Sequence, residues 1–453
     1  MGGRVTSGVL GSPGPPEPIS VFGRFATGGT IRVSRRRAPL GDSKLRRVPM
    51  IWALLFFDIL GAGQTPLVPL PHRVGQLLTQ GALWLALALA LSINPRVRVR
   101  GSIFLGLYTL LGITSLMSSI RLVSVGTDYR AVRLLGFVAV LWLLSPWWGR
   151  KDLVILRSHI KFLIGIIASV LLGIVVSPGS AFGGGGRLQD AWWPIPPTQV
   201  AHYSAELSGL ALVLWMSGLL RGRPAALLGV SSFVVLLLTH TRTALAGTIL
   251  GAALAGASLF TSRRRVRRTF TACVLVVALV GVPLAPLIVA FVTRGQSAAQ
   301  IASLTGRTNF WGYVFAASAR RPLTNEILGN GLSNGSIYDP YQPSVQGLPI
   351  DSSWVEDYQD QGIIGDFLVA IMFTVLLLAA LLRPRGPGRA VALFLIAYCL
   401  VASFTEDGAG IASQYTLDLT VAASLLVPTV GNVRMAKGYA TVEVDGPRPR
   451  ATV

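Results

Sequence analysis

Phe162-Leu163-Ile164-Gly165-Ile166-Ile167-Ala168-Ser169-Val170-Leu171-Leu172-Gly173-Ile174-Val175-Val176 contains no charged side chain. With the residues just before it, the run covers about 156–177, and as a helix it is long enough to cross the ~30 Å hydrocarbon core of a bilayer. Eleven further stretches read the same way, near 49–66, 74–94, 101–119, 131–149, 199–220, 224–240, 243–261, 269–292, 362–382, 388–405 and 410–430. The first of these holds Asp58 and Gly61. Composition agrees: of 453 residues, 52% are hydrophobic and 13% charged, about half the charged fraction of a soluble domain. A single water-soluble globule and a disordered chain are both excluded. The expected fold is an all-α polytopic integral membrane bundle of about twelve transmembrane helices.

The formal charge of +21 invites a nucleic-acid reading, but its distribution argues for topology. With the N-terminus inside, thirty of the forty basic residues fall in the N-terminal arm, in every second gap between spans and in the C-terminal tail. That is the positive-inside pattern, and it places both termini in the cytoplasm. No nucleic-acid partner is needed. Residues 1–48, rich in Pro, Gly and Arg, read as a disordered basic cytoplasmic arm, and 431–453 as a polar cytoplasmic tail. Between them, 49–292 hold spans one to nine, 293–361 form an extracytoplasmic loop and 362–430 hold spans ten to twelve. Cys273 and Cys399 both lie in apolar runs, which excludes a disulfide framework and a metal or redox motif built on cysteine spacing. Arg outnumbers Lys 36 to 4, a bias that points to a GC-rich bacterial genome.

The 293–361 loop is the longest connection, and long ordered loops in compact proteins usually carry function. Two helices are expected in it. One covers 308–320, with Trp311, Val314 and Phe315 on one face. The other opens at Ser353-Trp354-Val355-Glu356 as a capping box, with Trp354, Val355 and Tyr358 apolar. The gap at about 178–198 carries Gly183–Gly186, Arg187, Asp190, Trp192 and Trp193, and Asp190 is the acidic residue nearest Arg187 in sequence. Thr241-Arg242-Thr243 fills the short gap between the seventh and eighth spans. Arg187, Arg242 and Arg307 therefore all reach the outer rim. Guanidinium forks match phosphate oxygens bidentately, and a diphosphate on a lipid tail would lie at this depth. Each arginine taken alone also fits snorkelling to headgroups or pairing with Asp190, Asp351 or Glu356.

The motifs resemble those of bacterial O-antigen ligases and the related polysaccharide polymerases. Thr241-Arg242-Thr243-Ala244-Leu245 is similar to a segment of that family, as is Gly306-Arg307-Thr308-Asn309-Phe310-Trp311 followed by Arg321-Pro322-Leu323 and Gly329-Asn330-Gly331-Leu332. Asp351-Ser352-Ser353-Trp354 with Gly362-Ile363-Ile364-Gly365, and Arg187 with Pro197-Thr198-Gln199-Val200-Ala201, extend the resemblance over roughly 180–382. It implies metal-independent glycan transfer from a polyprenyl-pyrophosphate-linked oligosaccharide to a sugar hydroxyl acceptor, in cell-surface or exopolysaccharide biosynthesis at the bacterial inner membrane. No cofactor is implied. Arg242 and Arg307 would be catalytic with Asp351, and Arg187, His202, Arg321 and Trp311 would bind substrate. Asp351 stands where ligases carry a histidine, and an ionised carboxylate can still accept a proton from an attacking hydroxyl. Asp351 also precedes a helix, whose positive end a carboxylate suits. Polymerase and ligase both remain open.

His202 and His240 are further base candidates, although a lone histidine on an apolar helix usually packs and hydrogen-bonds. Glu206, a turn below His202, is expected to pair with an Arg or His, and Asp418 in the last span needs a partner. Glu406 and Asp407 are expected to be solvated in an outer turn. A secondary transporter or polysaccharide exporter with twelve spans is the main rival reading. Transporters gather polar groups at mid-membrane within repeats, whereas this sequence collects them at one face. A sensor or assembly protein is a third reading, for which no residue speaks.

Overall fold

A computed structural model describes residues 42–428 apart from 62–64, 66, 69–70, 122–124, 261–262, most of 277–305, 334, 338–343 and 345–346. The N-terminal arm up to residue 41, the tail from 429 and half of the ninth expected span lie outside the described residues. The described chain is helical, with two isolated β-bridges and no strand. In order the helices are α1 (Asp42–Ile59), α2 (His72–Ile93), α3 (Ile103–Ile120), α4 (Val125–Leu144), α5 (Val154–Val176), α6 (Pro178–Ala181), α7 (Pro197–Met216) and α8 (Gly222–Thr239). They continue as α9 (Arg242–Leu259), α10 (Arg264–Val276), α11 (Arg307–Ser318), α12 (Leu323–Leu328), α13 (Ser353–Leu382), α14 (Pro387–Ala402) and α15 (Gln414–Leu426).

Seven helices (α2 to α5, α8, α9 and α13) are long and apolar enough to span a bilayer, with α4 counted through to Trp147. Their outer faces expose Leu77, Val175, Leu227, Val230, Ile249 and Leu382. Water would penalise such a continuous apolar surface, whereas lipid accepts it. The other expected spans fall on α1, α7, α10, α14 and α15, which are shorter, more polar or more charged. In α7 and α15 the reason is position. Fifteen of twenty residues of α7, and all of α15 except Leu426, are buried by other helices. Such a helix can carry His202, Glu206 or Asp418 because it meets protein in place of lipid.

Two boundaries differ from expectation. α1 begins at Asp42, so the last residues of the basic arm are helical. Asp58, near its end, is buried against Arg133 of α4 at 2.5 Å, which neutralises a carboxylate inside an apolar segment. α13 begins at Ser353 and runs through a kink at Gly362, so the last stretch of the long loop and the tenth span form one broken helix.

α7 packs against α5, α8, α9 and α14, and α14 packs in turn against α9 and α15. Small residues permit these close crossings. A Cβ on Gly209 would come within 2.0 Å of the Phe394 ring, and one on Gly247 within 2.9 Å of Tyr398. On the same face of α9, a Cβ on Gly251 would lie 2.9 Å from the Phe394 carbonyl oxygen. α3 lies against α4 and α13, and α1 against α2 and α5. The basic gaps gather at one end of the bundle. There Arg100 donates to the carbonyls of Trp148 and Pro428, both at 3.0 Å, and Arg265 to that of Trp215 at 3.5 Å. The opposite end gathers the starts of α7, α9, α13 and α15 and the ends of α8 and α14.

Candidate active site

The α8–α9 turn supplies the first wall of a site at that opposite end. Thr239 closes α8, His240 takes a left-handed conformation (φ 55°), and α9 starts at Arg242. Arg187 reaches this turn from the connection after α6. Its Nε donates to the Thr239 carbonyl at 2.9 Å and its Nη2 to Thr241 Oγ1 at 3.1 Å. The neighbouring Leu188 N–H donates to the Leu238 carbonyl at 3.1 Å, and Phe182 and Leu188 form an antiparallel bridge. Asp190 does not take Arg187 as a partner. It accepts from Ser169 Oγ at 2.9 Å and from the Trp192 N–H at 2.8 Å.

The second wall comes from α11, α13 and the α14–α15 turn. Arg307 is the first residue of α11, set by Gly306 at φ 90°. Its Nε donates to Asp351 Oδ2 at 3.0 Å, and its Nη2 lies 3.9 Å from Glu406 Oε1. Glu406 Oε1 is also 3.8 Å from His202 Nε2. The Glu406 carbonyl accepts from the Ser353 N–H at 2.9 Å and from Ser353 Oγ at 2.8 Å, so the start of α13 is bolted to the 403–413 turn. Thr405 Oγ1 donates to Thr243 Oγ1 at 2.7 Å, which joins that turn to the first turn of α9. The two walls are thus one assembly. Partial burial holds the Arg187 guanidinium below its ordinary pKa; the charge of Glu406 opposes that shift and the charge of Arg307 adds to it.

His202 lies just beneath, 3% exposed. Its Nδ1 is hydrogen-bonded to the Tyr398 hydroxyl and its Nε2 to the Tyr415 hydroxyl at 3.2 Å. Two tyrosines therefore fix the ring, with Nε2 turned toward Glu406. Of the sequence-predicted set, Arg187, Arg307, Asp351 and His202 are joined in this network, and Arg242 starts the helix whose Thr241 and Thr243 belong to it. Trp311, one turn along α11 from Arg307, packs on a small cluster of Val314, Ile337, Ile350 and Val355. Arg321 stands apart: it follows α11, whose twelve residues span about 18 Å from Arg307.

Two expectations are corrected. Glu406 is not solvated, since its side chain is 13% exposed and it sits between Arg307 and His202. The Ser353–Glu356 capping box is not formed, because Ser353 Oγ is bonded to the Glu406 carbonyl and to the Ala409 N–H. Glu356 is buried instead, together with Asp357 and Asp360, beside the expected apolar face, on which Val355 is buried and Trp354 and Tyr358 pack against hydrophobic clusters. On α11, Trp311 and Val314 share the expected face, with Phe315 at its edge, 49% exposed and against Tyr358. Glu206 has the expected histidine, and Asp418 has a partner that the sequence did not suggest. Both face His159 of α5, at 3.4 and 3.2 Å.

Sequence reasoning missed Glu406, Tyr398, Tyr415 and Thr405. The available signal was an acidic turn, Glu406-Asp407, between the last two apolar runs, each with a tyrosine near its outer end.

Residues 227–370 match the family model described as O-antigen ligase. That segment is about a third of the chain. No curated protein matches the chain. The matched segment extends from α8 to the first turns after the α13 kink and carries Arg242, Arg307, Trp311, Arg321 and Asp351. Arg187, His202 and Glu406 lie outside it, so the network joins the matched segment to helices on both sides of it in sequence.

Proposed function

We propose that this multi-pass membrane protein transfers a glycan from a polyprenyl-pyrophosphate carrier to a sugar hydroxyl, at the extracytoplasmic face of the bacterial inner membrane. The observation that carries this reading is the junction of Arg187, the Thr241–Thr243 turn with Arg242, and the Arg307–Asp351–Glu406 group at one rim. Arg187, Arg307 and, at the start of α9, Arg242 bring three guanidinium groups to the rim where a lipid diphosphate head would lie. The basic gaps at the other end support a cytoplasmic location for that end, and twelve spans with both termini inside follow from the same alternation.

The chemistry assigns each group a task. The acceptor hydroxyl oxygen attacks the anomeric carbon, the bond from that carbon to the phosphate oxygen breaks, and the hydroxyl proton passes to a carboxylate. The departing polyprenyl pyrophosphate takes the bonding electrons, and the arginines stabilise that charge as it develops. This is the role a divalent cation plays in other diphosphate reactions, so the transfer itself is proposed to be metal-independent. Asp351, 42% exposed and paired with Arg307 at 3.0 Å, is the carboxylate an acceptor can reach. Glu406 is more enclosed and orients Arg307 and His202. A cavity of about 530 Å³ between α7, α8 and α9, lined by Leu212, Trp215, Val230, Phe233 and Ile249, would take part of the polyprenyl tail. Its nearest lining residue on α9, Thr248, is about 9 Å along the helix from Arg242, and Trp215 and Gly222 line it at the far end of α7 and α8.

Deleting the gene in its host should make a lipid-linked oligosaccharide accumulate and long-chain surface glycan disappear, both read by gel and mass spectrometry. Unchanged glycans with loss of transport of a small solute would overturn the reading in favour of a transporter. With purified protein and a lipid-linked donor, Asp351→Asn is expected to cut turnover by about 100-fold or more, the range for loss of a general base. Glu406→Gln should lower it less and raise KM for the donor, because it loosens Arg307 without removing the base. Equal and small effects of both would take Asp351 out of the reaction.

A further inference from the structure

Beneath the rim, His159 of α5, Glu206 of α7 and Asp418 of α15 meet in the interior of the bundle, each with a fully buried side chain. Glu206 is one helical turn, about 6 Å, below His202. His159 Nε2 lies 3.4 Å from Glu206 Oε2 and 3.2 Å from Asp418 Oδ1, and the three donor atoms all fall within 4.8 Å of one another. Yet none of the three makes a hydrogen bond.

The remaining carboxylate oxygens are occupied. Glu206 Oε1 accepts from Gln414 Nε2, and Asp418 Oδ2 accepts from Cys399 Sγ at 3.8 Å. The imidazole is wedged against Trp52 and Phe56, at ring-centroid distances of 6.2 and 5.2 Å. Each carboxylate is thus held by a neighbour through one oxygen while the other turns toward the imidazole nitrogen. That arrangement is how outer partners orient metal ligands. Ligands about 2.0 to 2.1 Å from a tetrahedral ion are separated by about 3.3 to 3.4 Å, and the two imidazole–carboxylate distances fall close to this edge. Charge agrees as well. Two carboxylates and a neutral imidazole around a divalent ion sum to zero, and a neutral group can be buried in a bilayer where separate ions are costly.

We propose that His159, Glu206 and Asp418 bind one divalent transition-metal ion of the zinc type, which pins α5, α7 and α15 together below the active site. The mixed nitrogen and oxygen ligand set suits zinc, manganese or ferrous iron better than calcium, which takes six or more oxygens. The ion takes no part in the transfer, since its ligands bond to no rim residue named above.

The test uses the full-length protein, purified in detergent through a tag without histidines. Elemental analysis is expected to find about one transition-metal ion per chain, removable with chelator at mildly acidic pH, where the ligands protonate. Restoring Zn²⁺ to the stripped protein should raise its Tm, and Co²⁺ should give the visible absorption of a tetrahedral site. Glu206→Gln and Asp418→Asn are each expected to lower the bound metal to below about a tenth and to abolish the Zn²⁺-dependent rise in Tm. Wild-type protein that holds no dication and gains no stability from Zn²⁺ overturns the proposal. So does metal content that survives both substitutions. Because the wild-type measurement decides on its own, a variant that fails to fold leaves the test intact.

Discussion

Arg307→Ala is expected to abolish glycan transfer, with turnover falling by about 100- to 1000-fold while the protein remains folded. The rate estimate follows from what removal of one preorganised donor to a developing negative charge costs in other enzymes. Arg307 has the contacts for a larger effect than either other rim arginine. Its guanidinium holds Asp351 at 3.0 Å and approaches Glu406 at 3.9 Å, so truncation removes a diphosphate ligand and frees both carboxylates at once. Two uncompensated carboxylates would then face the same diphosphate and repel it. Stability should change little, because the side chain is 25% exposed and starts a helix that other residues anchor. Arg307→Lys should recover only part of the activity, since a single ammonium cannot bridge two carboxylates with a planar fork. Transfer measured with purified protein and a lipid-linked donor checks both variants. Near-normal turnover of Arg307→Ala would remove the central element of the proposed site.

Gly362→Ala is expected to have the largest effect on folding. The kink of α13 requires φ 68° and ψ −166° at Gly362, a region that essentially only glycine enters. A Cβ there would also come within 2.4 Å of the Ile327 carbonyl oxygen. Gly329 answers from the other side, at φ 77° and ψ −170°, where a Cβ would lie 2.3 Å from the Asp360 backbone. The end of α12 and the kink of α13 therefore pack backbone against backbone. Strain of about 1 to 3 kcal/mol adds to a clash with groups that have no rotamer to escape into. Because the kink sets the direction of the Ser353 turn against Glu406, activity should fall together with the yield of monodisperse protein. Gly312, in the middle of α11 with open space beside it, is the control. Gly312→Ala should be neutral or slightly stabilising, by up to about 1 kcal/mol of helix propensity. Thermal unfolding in detergent separates the two outcomes.

Much of the site was legible before folding. Arg187, Arg242 and Arg307 stand out because a charged side chain at the end of an apolar run is costly unless it has a task, and Gly362 stands out as a glycine where a span meets a loop. Glu406 was not legible. In sequence it is one acid in a turn between two spans, which is where solvated acids are common. Only its enclosure by Arg307, His202 and Ser353 gives it a role. His159 was silent for a similar reason: a histidine among leucines and isoleucines reads as packing until two carboxylates from distant helices face it.

Apolar runs and the alternation of arginines by themselves determined that this chain is a helical membrane protein, which end is basic, and which loops carry polar groups. Those properties are local, set by what each segment must present to lipid or to water. Tertiary structure alone decided which polar groups meet, because α7 and α9 cross α14 at glycines that face Phe394 and Tyr398, α5 packs on α7 and α15 on α14, and Glu406 locks its turn to Ser353 of α13.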